Sequence, residues 1–266
     1  MGDYKIGFIG AGNIGLSLIK GLIKAEFCRP EQIVVSRRDE RKAEELRVMG
    51  LEVSCNSSDA LKAQTVVLAV LPQQLDTLIL QIKANIRPGQ LFVSVISGVS
   101  CAMLRDKLGS EVDIVRAMPN TAIAIGESMT TLAADRVSEE RMKWTEDMFK
   151  SVGSTLVIAE ELMTSATALC ACGIAFFLRS IRAASQGGVE IGFHAEEAIY
   201  LAAQTAKGAA ALLLANGSHP EHEIDKVTSP KGCTIAGLNE MEHRGFSSSM
   251  IKGIRLSADK AGGLYE

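Results

Sequence analysis

The sequence has few aromatic residues: one Trp, three Tyr and eight Phe, or 5% of 266 positions. That is too few π faces for a base-stacking surface. It also lacks a charge excess. Its 28 Lys and Arg nearly balance 31 Asp and Glu, for a net charge of −3, so no general attraction to nucleic acid or anionic membrane is expected. No uncharged run is long enough to span a bilayer. The first residues pass straight into an apolar strand-like run, with no basic stretch leading to an apolar core, so no secretory signal is expected. The six cysteines (28, 55, 101, 170, 172 and 233) form no CxxC pair. In a chain that can bury a core of its own, such scatter implies reduced thiols and a cytoplasmic location, not a disulfide framework. Metal ligation is not indicated either. Cys170 and Cys172 lie two apart in a predicted helix and point to different sides. His219 and His222 flank a helix start and read as solvated side chains, not zinc ligands.

What the chain does have begins at once. Tyr4 to Ile9 is a short apolar run, Gly10-Ala11-Gly12-Asn13-Ile14-Gly15 follows, and Leu16, Leu18, Ile19, Leu22 and Ile23 recur at helical spacing. Strand, glycine turn and helix in this order open a dinucleotide-binding unit. Gly10 allows the tight turn, Gly12 lets a pyrophosphate approach the backbone, and Gly15 lets the helix pack on the strand. The helix N-terminus offers unpaired N–H groups to the phosphates.

Strand and helix patterns then alternate to residue 158. Strands are expected at 32–36, 51–54, 65–70, 91–96, 112–116 and 154–157, with 128–133 as an edge strand. Asp39, Ser100 and Ser138 are expected to cap helices, and Ser57, Ser58 or Asp59 a short helical turn. This alternation implies a mostly parallel sheet covered by helices on both faces. From 159 to 266 the pattern is helical only, with segments near 162–186, 195–216, 220–228, 234–244 and 247–262. Breaks are expected at Gly187-Gly188, Asn216-Gly217 and Gly245. The small residues Ala202, Ala203, Ala206, Ala209 and Ala210 allow close helix approach, either within the chain or between two copies.

An NAD-preferring unit carries an acidic residue at the end of the second strand. Here Ser36-Arg37-Arg38 stands at that place. A hydroxyl and two guanidiniums suit a 2′-phosphate, so NADPH is expected, with NADH also admitted. A second unusual stretch, Thr228-Ser229-Pro230-Lys231-Gly232-Cys233-Thr234, precedes an amphipathic helix. Backbone N–H groups at Gly232, Cys233 and Thr234 could hold a small carboxylate there. Plain capping of the helix by Ser229 or Thr234 is the alternative.

This stretch resembles the signature of pyrroline-5-carboxylate reductases, which carry out the last step of proline biosynthesis. The resemblance extends through Phe8 to Gly15, Val67 to Val70, Arg116-Ala117-Met118-Pro119-Asn120-Thr121, Gly187-Gly188-Val189, Ala202-Ala203-Gln204-Thr205 and Gly245-Phe246. It implies an N-terminal Rossmann-like α/β domain (1–158) that binds NADPH, or sometimes NADH, and an all-α C-terminal domain (159–266) that makes a homodimer. Such dimers can assemble further into a ring. The implied substrate is a cyclic imine bearing a carboxylate, held by Ser229, Gly232, Cys233 and Thr234, with the Thr234 hydroxyl on the ring nitrogen. The resemblance also puts Ala69, Val70, Leu71 and Pro72 against the cofactor, Met118 and Asn120 near its nicotinamide, and Asn56 near its adenosine ribose. No nucleic-acid or membrane partner is implied.

The chain departs from the family pattern at several places. Lys231 stands where a glycine is usual, so if the loop needs positive φ there, the lysine strains or reshapes it. Cys170-Ala171-Cys172-Gly173-Ile174 replaces a run with two serines and a proline, Arg182 an acid, Gln186 an aspartate, and Leu71 a common lysine. Two alternatives therefore stay open: reduction of a different cyclic imine, and a non-catalytic NADP-binding dimer.

Overall fold

The computed structural model describes residues 5–263; Tyr4, counted in the first expected strand, lies outside them. The first part alternates β1 (Ile6–Ile9), α1 (Asn13–Lys24), β2 (Ile33–Ser36), α2 (Glu40–Val48), β3 (Glu52–Ser54), β4 (Thr65–Leu68), α3 (Leu75–Ile82), β5 (Leu91–Ser94), α4 (Cys101–Leu108), β6 (Asp113–Met118), β7 (Ser128–Asp135), α5 (Glu139–Lys150) and β8 (Gly153–Val157). The strands form one sheet in the order β3-β2-β1-β4-β5-β6-β7-β8. All neighbours are parallel except β6 and β7.

β1, β2, β4 and β5 are buried along their whole length, which is why they read as unbroken apolar runs. Alternate residues serve two cores. Phe8, Val67, Val93 and Val115 face the side covered by α1 and α5, with Leu18, Leu22 and Phe149. Val66, Leu68, Phe92 and Ile114 face the other side, with Leu75, Ile79 and Leu104 of α3 and α4. β7 is not the edge strand expected at 128–133. It pairs antiparallel with β6, and β8 lies outside it. Its backbone groups are therefore paired on both flanks, its residues 130–133 are buried, and the half-exposed β8 takes the edge.

Helix starts follow the serines. Ser100 and Ser138 accept from the amides of Met103 and Arg141. Asp39 holds the N-cap position of α2 without a side-chain cap bond. The turn at 57–62 is capped by Asn56, whose carboxamide accepts from Ser58 N, and not by Ser57, Ser58 or Asp59. An Asx side chain one position earlier reaches the free amide directly.

The remainder is helical: α6 (Met163–Ala166), a wide π turn (Thr167–Cys172), α7 (Gly173–Glu190), α8 (Ala195–Asn216), α9 (Pro220–Lys226), α10 (Cys233–His243) and α11 (Phe246–Gly262). The break expected at Gly187-Gly188 is absent, because α7 runs through both. A Cβ added at Gly188 would stand 3.1 Å from the Ala198 Cβ, so this glycine admits α8 and does not end a helix. His219 caps α9, accepting from Glu221 N.

Contacts divide the chain into two compact units, one of residues 1–172 with 257–266 and one of 173–256. The second has almost no interior of its own. Between 173 and 256 only Gly173, Ser185 and Ala198 are buried. Phe177, Ile191, Tyr200 and Leu214 are 63%, 79%, 70% and 87% exposed. The stretch 160–190 and α8 are also long and apolar enough to cross a bilayer by length and composition. Both stretches pass that test with charged residues allowed, so the expectation that no uncharged run is long enough to span is unaffected, and two such helices are weak evidence of a membrane.

Candidate active site

In the first unit the glycine turn opens a cleft of about 860 Å³. The carboxyl ends of β1, β2 and β4 supply its walls, which is where a doubly wound sheet places a ligand. Gly10 sits at φ +93°, and a Cβ on it would meet the Ala69 carbonyl oxygen at 2.5 Å. Gly15 is buried in the first turn of α1. A Cβ there would lie 2.7 Å from the Gly10 carbonyl and 3.2 Å from the Ala69 Cβ. Gly12 differs from both: a Cβ would touch nothing within 4 Å, because this residue borders open cleft. It is also the N-cap of α1 and brings no side-chain cap. The first amides of the helix are therefore available to an anion.

Most of the expected cofactor residues line this cleft. Asn13, Ile14, Ser36, Arg37, Arg38 and the segment from Ala69 to Pro72 do so together with the three glycines. Ser36 donates to the Ser57 hydroxyl at 3.3 Å. Arg37 folds back on the turn, its Nη1 donating to the Ala11 carbonyl, while its Nε is buried without a partner. Arg38 is exposed. Leu71 is 64% exposed at the head of the polar segment before α3.

Three expected residues stand apart from the lining of the cleft. Asn56 spends its carboxamide oxygen on the cap of the 57–62 turn. Met118 is buried beneath Ser97, whose hydroxyl lies 3.9 Å from its sulfur. Asn120 is a buried bracket: its Oδ1 accepts from Ala122 N at 3.0 Å and its Nδ2 donates to the Cys170 carbonyl at 3.3 Å, within the π turn. Burial raises the Cys170 thiol pKa. The cleft also holds residues not foreseen: Ser57, Ser97 and a polar stripe of Gln73, Gln74, Thr77 and Gln81. The stripe was legible as Gln and Thr at three- and four-residue spacing, opposite the apolar Leu75, Ile79 and Ile82.

In the second unit, Ser229 to Thr234 forms a tight turn into α10. Gly232 N donates to the Ser229 carbonyl at 2.9 Å. Gly232 is the N-cap of α10 and no side chain caps it, so neither Ser229 nor Thr234 plays the simple capping role. Lys231 adopts φ +59°, the left-handed conformation that favours glycine. The lysine is thus strained into the turn, and Cys233 is exposed at the first helical position. Among the described residues, no group of three or more His, Cys, Asp or Glu could hold a metal.

Comparison with known proteins gives a consistent picture. A family model described as pyrroline-5-carboxylate reductase dimerisation matches residues 160–264. A model described as NADP oxidoreductase, coenzyme F420-dependent, matches 5–98. The chain is 49% identical to pyrroline-5-carboxylate reductase 1 of Dictyostelium discoideum, over 99% of this chain and 50% of that relative, so it spans half that relative's length. It is 43% identical to pyrroline-5-carboxylate reductase 2 of the same organism, over 97% of this chain and 92% of the relative. The crystal structure of Plasmodium falciparum pyrroline carboxylate reductase with NADP bound superposes with a TM-score of 0.90 at 25% identity, covering 100% of both chains. The Streptococcus pyogenes 1-pyrroline-5-carboxylate reductase gives 0.87 at 30% identity, over 97% of this chain and 98% of that one.

Proposed function

The chain belongs to the pyrroline-5-carboxylate reductase family, and we propose that it reduces 1-pyrroline-5-carboxylate to proline with NADPH. The observation that carries this reading is the cleft at the glycine turn, lined by Ser36, Arg37 and Arg38, and the same chain also holds an uncapped, glycine-led helix start at 232–234. The cleft residues fit the coenzyme: Gly12 faces open space, the first amides of α1 are uncapped, and a buried Arg37 N–H lacks an acceptor. NADPH supplies the hydride that reduces the C=N carbon.

The chain's own residues position and polarise. Gly10, Gly12, Asn13, Ile14 and Gly15 hold the diphosphate, and Ser36, Arg37 and Arg38 read the ribose end. Ala69 to Pro72 form the wall behind the coenzyme. Asn56, Met118 and Asn120 act by fixing the backbone around the cleft. Ser229 shapes the turn, the amides at Gly232, Cys233 and Thr234 hold the substrate carboxylate, and the Thr234 hydroxyl hydrogen-bonds the ring nitrogen. A protonated imine is already electrophilic, so no strong side-chain acid is required. Lys231 keeps the left-handed conformation that a glycine would take, so the turn before α10 is retained despite the substitution.

The dinucleotide-binding part is assigned to 1–158 and the helical part to 159–266. The helical part makes a homodimer, since its large exposed apolar side chains need cover that one copy does not give. Further assembly into a ring would use the same helices. The six free cysteines suit the cytoplasm.

The test is NADPH oxidation by the purified chain with pyrroline-5-carboxylate and then a panel of cyclic imines, alongside sedimentation. Turnover on the first substrate by a dimer is expected. Turnover on another imine alone, or NADPH binding with no turnover on any, would overturn the reading.

A further inference from the structure

A second cleft, of about 140 Å³, opens beside the first. It shares Ala11, Gly12, Asn13 and Arg37 with the large cleft, so the two adjoin at the glycine turn. Its remaining polar wall is Lys20 of α1 with Lys42 and Glu45 of α2. Three cations thus surround one carboxylate. Elsewhere on α2, Arg47 is neutralised by Glu40 and Glu44 at 2.7 and 3.1 Å. Lys20 and Lys42 enter no such ion pair among the described residues. Arg37 contributes a buried Nε without an acceptor. An unpaired buried donor is costly and calls for a partner. The volume matches on the order of four or five waters, the scale of one phosphate group and far below that of a nucleoside.

We propose that this annex receives the 2′-phosphate that distinguishes NADPH from NADH, so that Lys20 and Lys42 join Arg37 in setting coenzyme preference. The inference rests on reading the large cleft as the coenzyme site. The end of the second strand is where such folds read the ribose, and Arg37 stands there while also lining the annex. The Ser36-Arg37-Arg38 motif alone does not reveal the lysines, because they come from two helices and meet only in the fold. Flexible ammonium groups suit this task, contributing charge without fixed geometry. Glu45 opposes the phosphate and moderates its hold.

The test is calorimetric titration of the whole chain with NADPH, NADH, 2′,5′-ADP and 5′-AMP. In Lys20→Gln/Lys42→Gln, affinity for NADPH and 2′,5′-ADP should fall about tenfold at low ionic strength and less at high salt. Affinity for NADH and 5′-AMP should move less than about twofold. Glu45→Gln should tighten NADPH and leave NADH unmoved. All three side chains reach the surface, and the ratio of the two coenzymes' affinities does not depend on the fraction folded. Equal losses for NADPH and NADH, or no loss for either, would overturn the annex. If the parent chain binds neither coenzyme, it is the reading of the large cleft that falls.

Discussion

The amide of Gly232 donates to the carbonyl of Ser229 at 2.9 Å, and a Cβ on Gly232 would stand 2.5 Å from the Ser229 hydroxyl oxygen. A side chain at that position would make the Ser229 hydroxyl turn away and crowd its carbonyl oxygen at 3.0 Å, while the neighbouring Lys231 bears the left-handed backbone at φ +59°. Lys231→Gly should stabilise the chain by about 0.5–1 kcal/mol, the relieved αL cost less the added freedom of the unfolded chain. Urea unfolding of the two proteins checks this. A destabilised variant would mean that the lysine side chain contributes something beyond its conformation.

Gly12 and Gly15 separate binding from folding. Gly15→Ala forces a methyl against the Gly10 carbonyl at 2.7 Å, so it should cost about 2 kcal/mol or more in stability. Gly12→Ala meets nothing in the protein. It should lower the melting temperature only slightly, by the poorer N-cap that alanine makes at the start of α1, and weaken NADPH by about tenfold or more, a loss near 1.4 kcal/mol. Thermal melts with and without NADPH read both effects.

Thr234→Ala tests the substrate end. Loss of a hydroxyl that acts on the ring nitrogen should lower kcat by about 10–100-fold. NADPH affinity should stay within about twofold. Equal turnover by variant and parent on pyrroline-5-carboxylate would remove Thr234 from the chemistry.

Glu223 offers a pH-dependent test. The Ser218 hydroxyl donates to its carboxylate at 2.6 Å and Lys226 Nζ at 2.9 Å. Led by the serine bond, these hold its pKa down to about 2. The folded chain therefore favours the ionised form. The associated stability is complete above the unfolded value, near 4.3, and is lost as pH falls through about 2. Ser218→Ala should raise the Glu223 midpoint, read by NMR titration. The stability gap between parent and variant, measurable at neutral pH, should close at the acid end. An unmoved midpoint would show that the bond does not form in solution.

Much of the architecture was legible because it is local. The glycine turn, the buried strands and the serine caps each declare themselves within a dozen residues. The antiparallel turn from β6 into β7 was not legible, because 128–133 looks the same beside one strand or between two. Gly188 misled for a related reason: a glycine that ends a helix and one that admits a neighbouring helix look alike until Ala198 is seen opposite. Most of the residues lining the large cleft were legible: those after β1 and β2 from spacing, and Ala69 to Pro72 after β4 from the family motif. Met118 and Asn120 were drawn from a motif, and the motif does not reveal that both side chains are turned inward to hold other segments.

Residues 257–266 group with 1–172, so the chain leaves its first unit at 172 and returns to it more than eighty residues later. Ala261 is buried and Gly262 lies beside Thr164. During synthesis, the coenzyme-binding unit can form its sheet early but cannot close this seam until residue 261 has left the ribosome. A nascent chain stalled near residue 250 would expose the Met163–Ala166 flank and most of the helical apolar surface together, the stage at which it is most open to chaperones and to premature association with a second nascent copy.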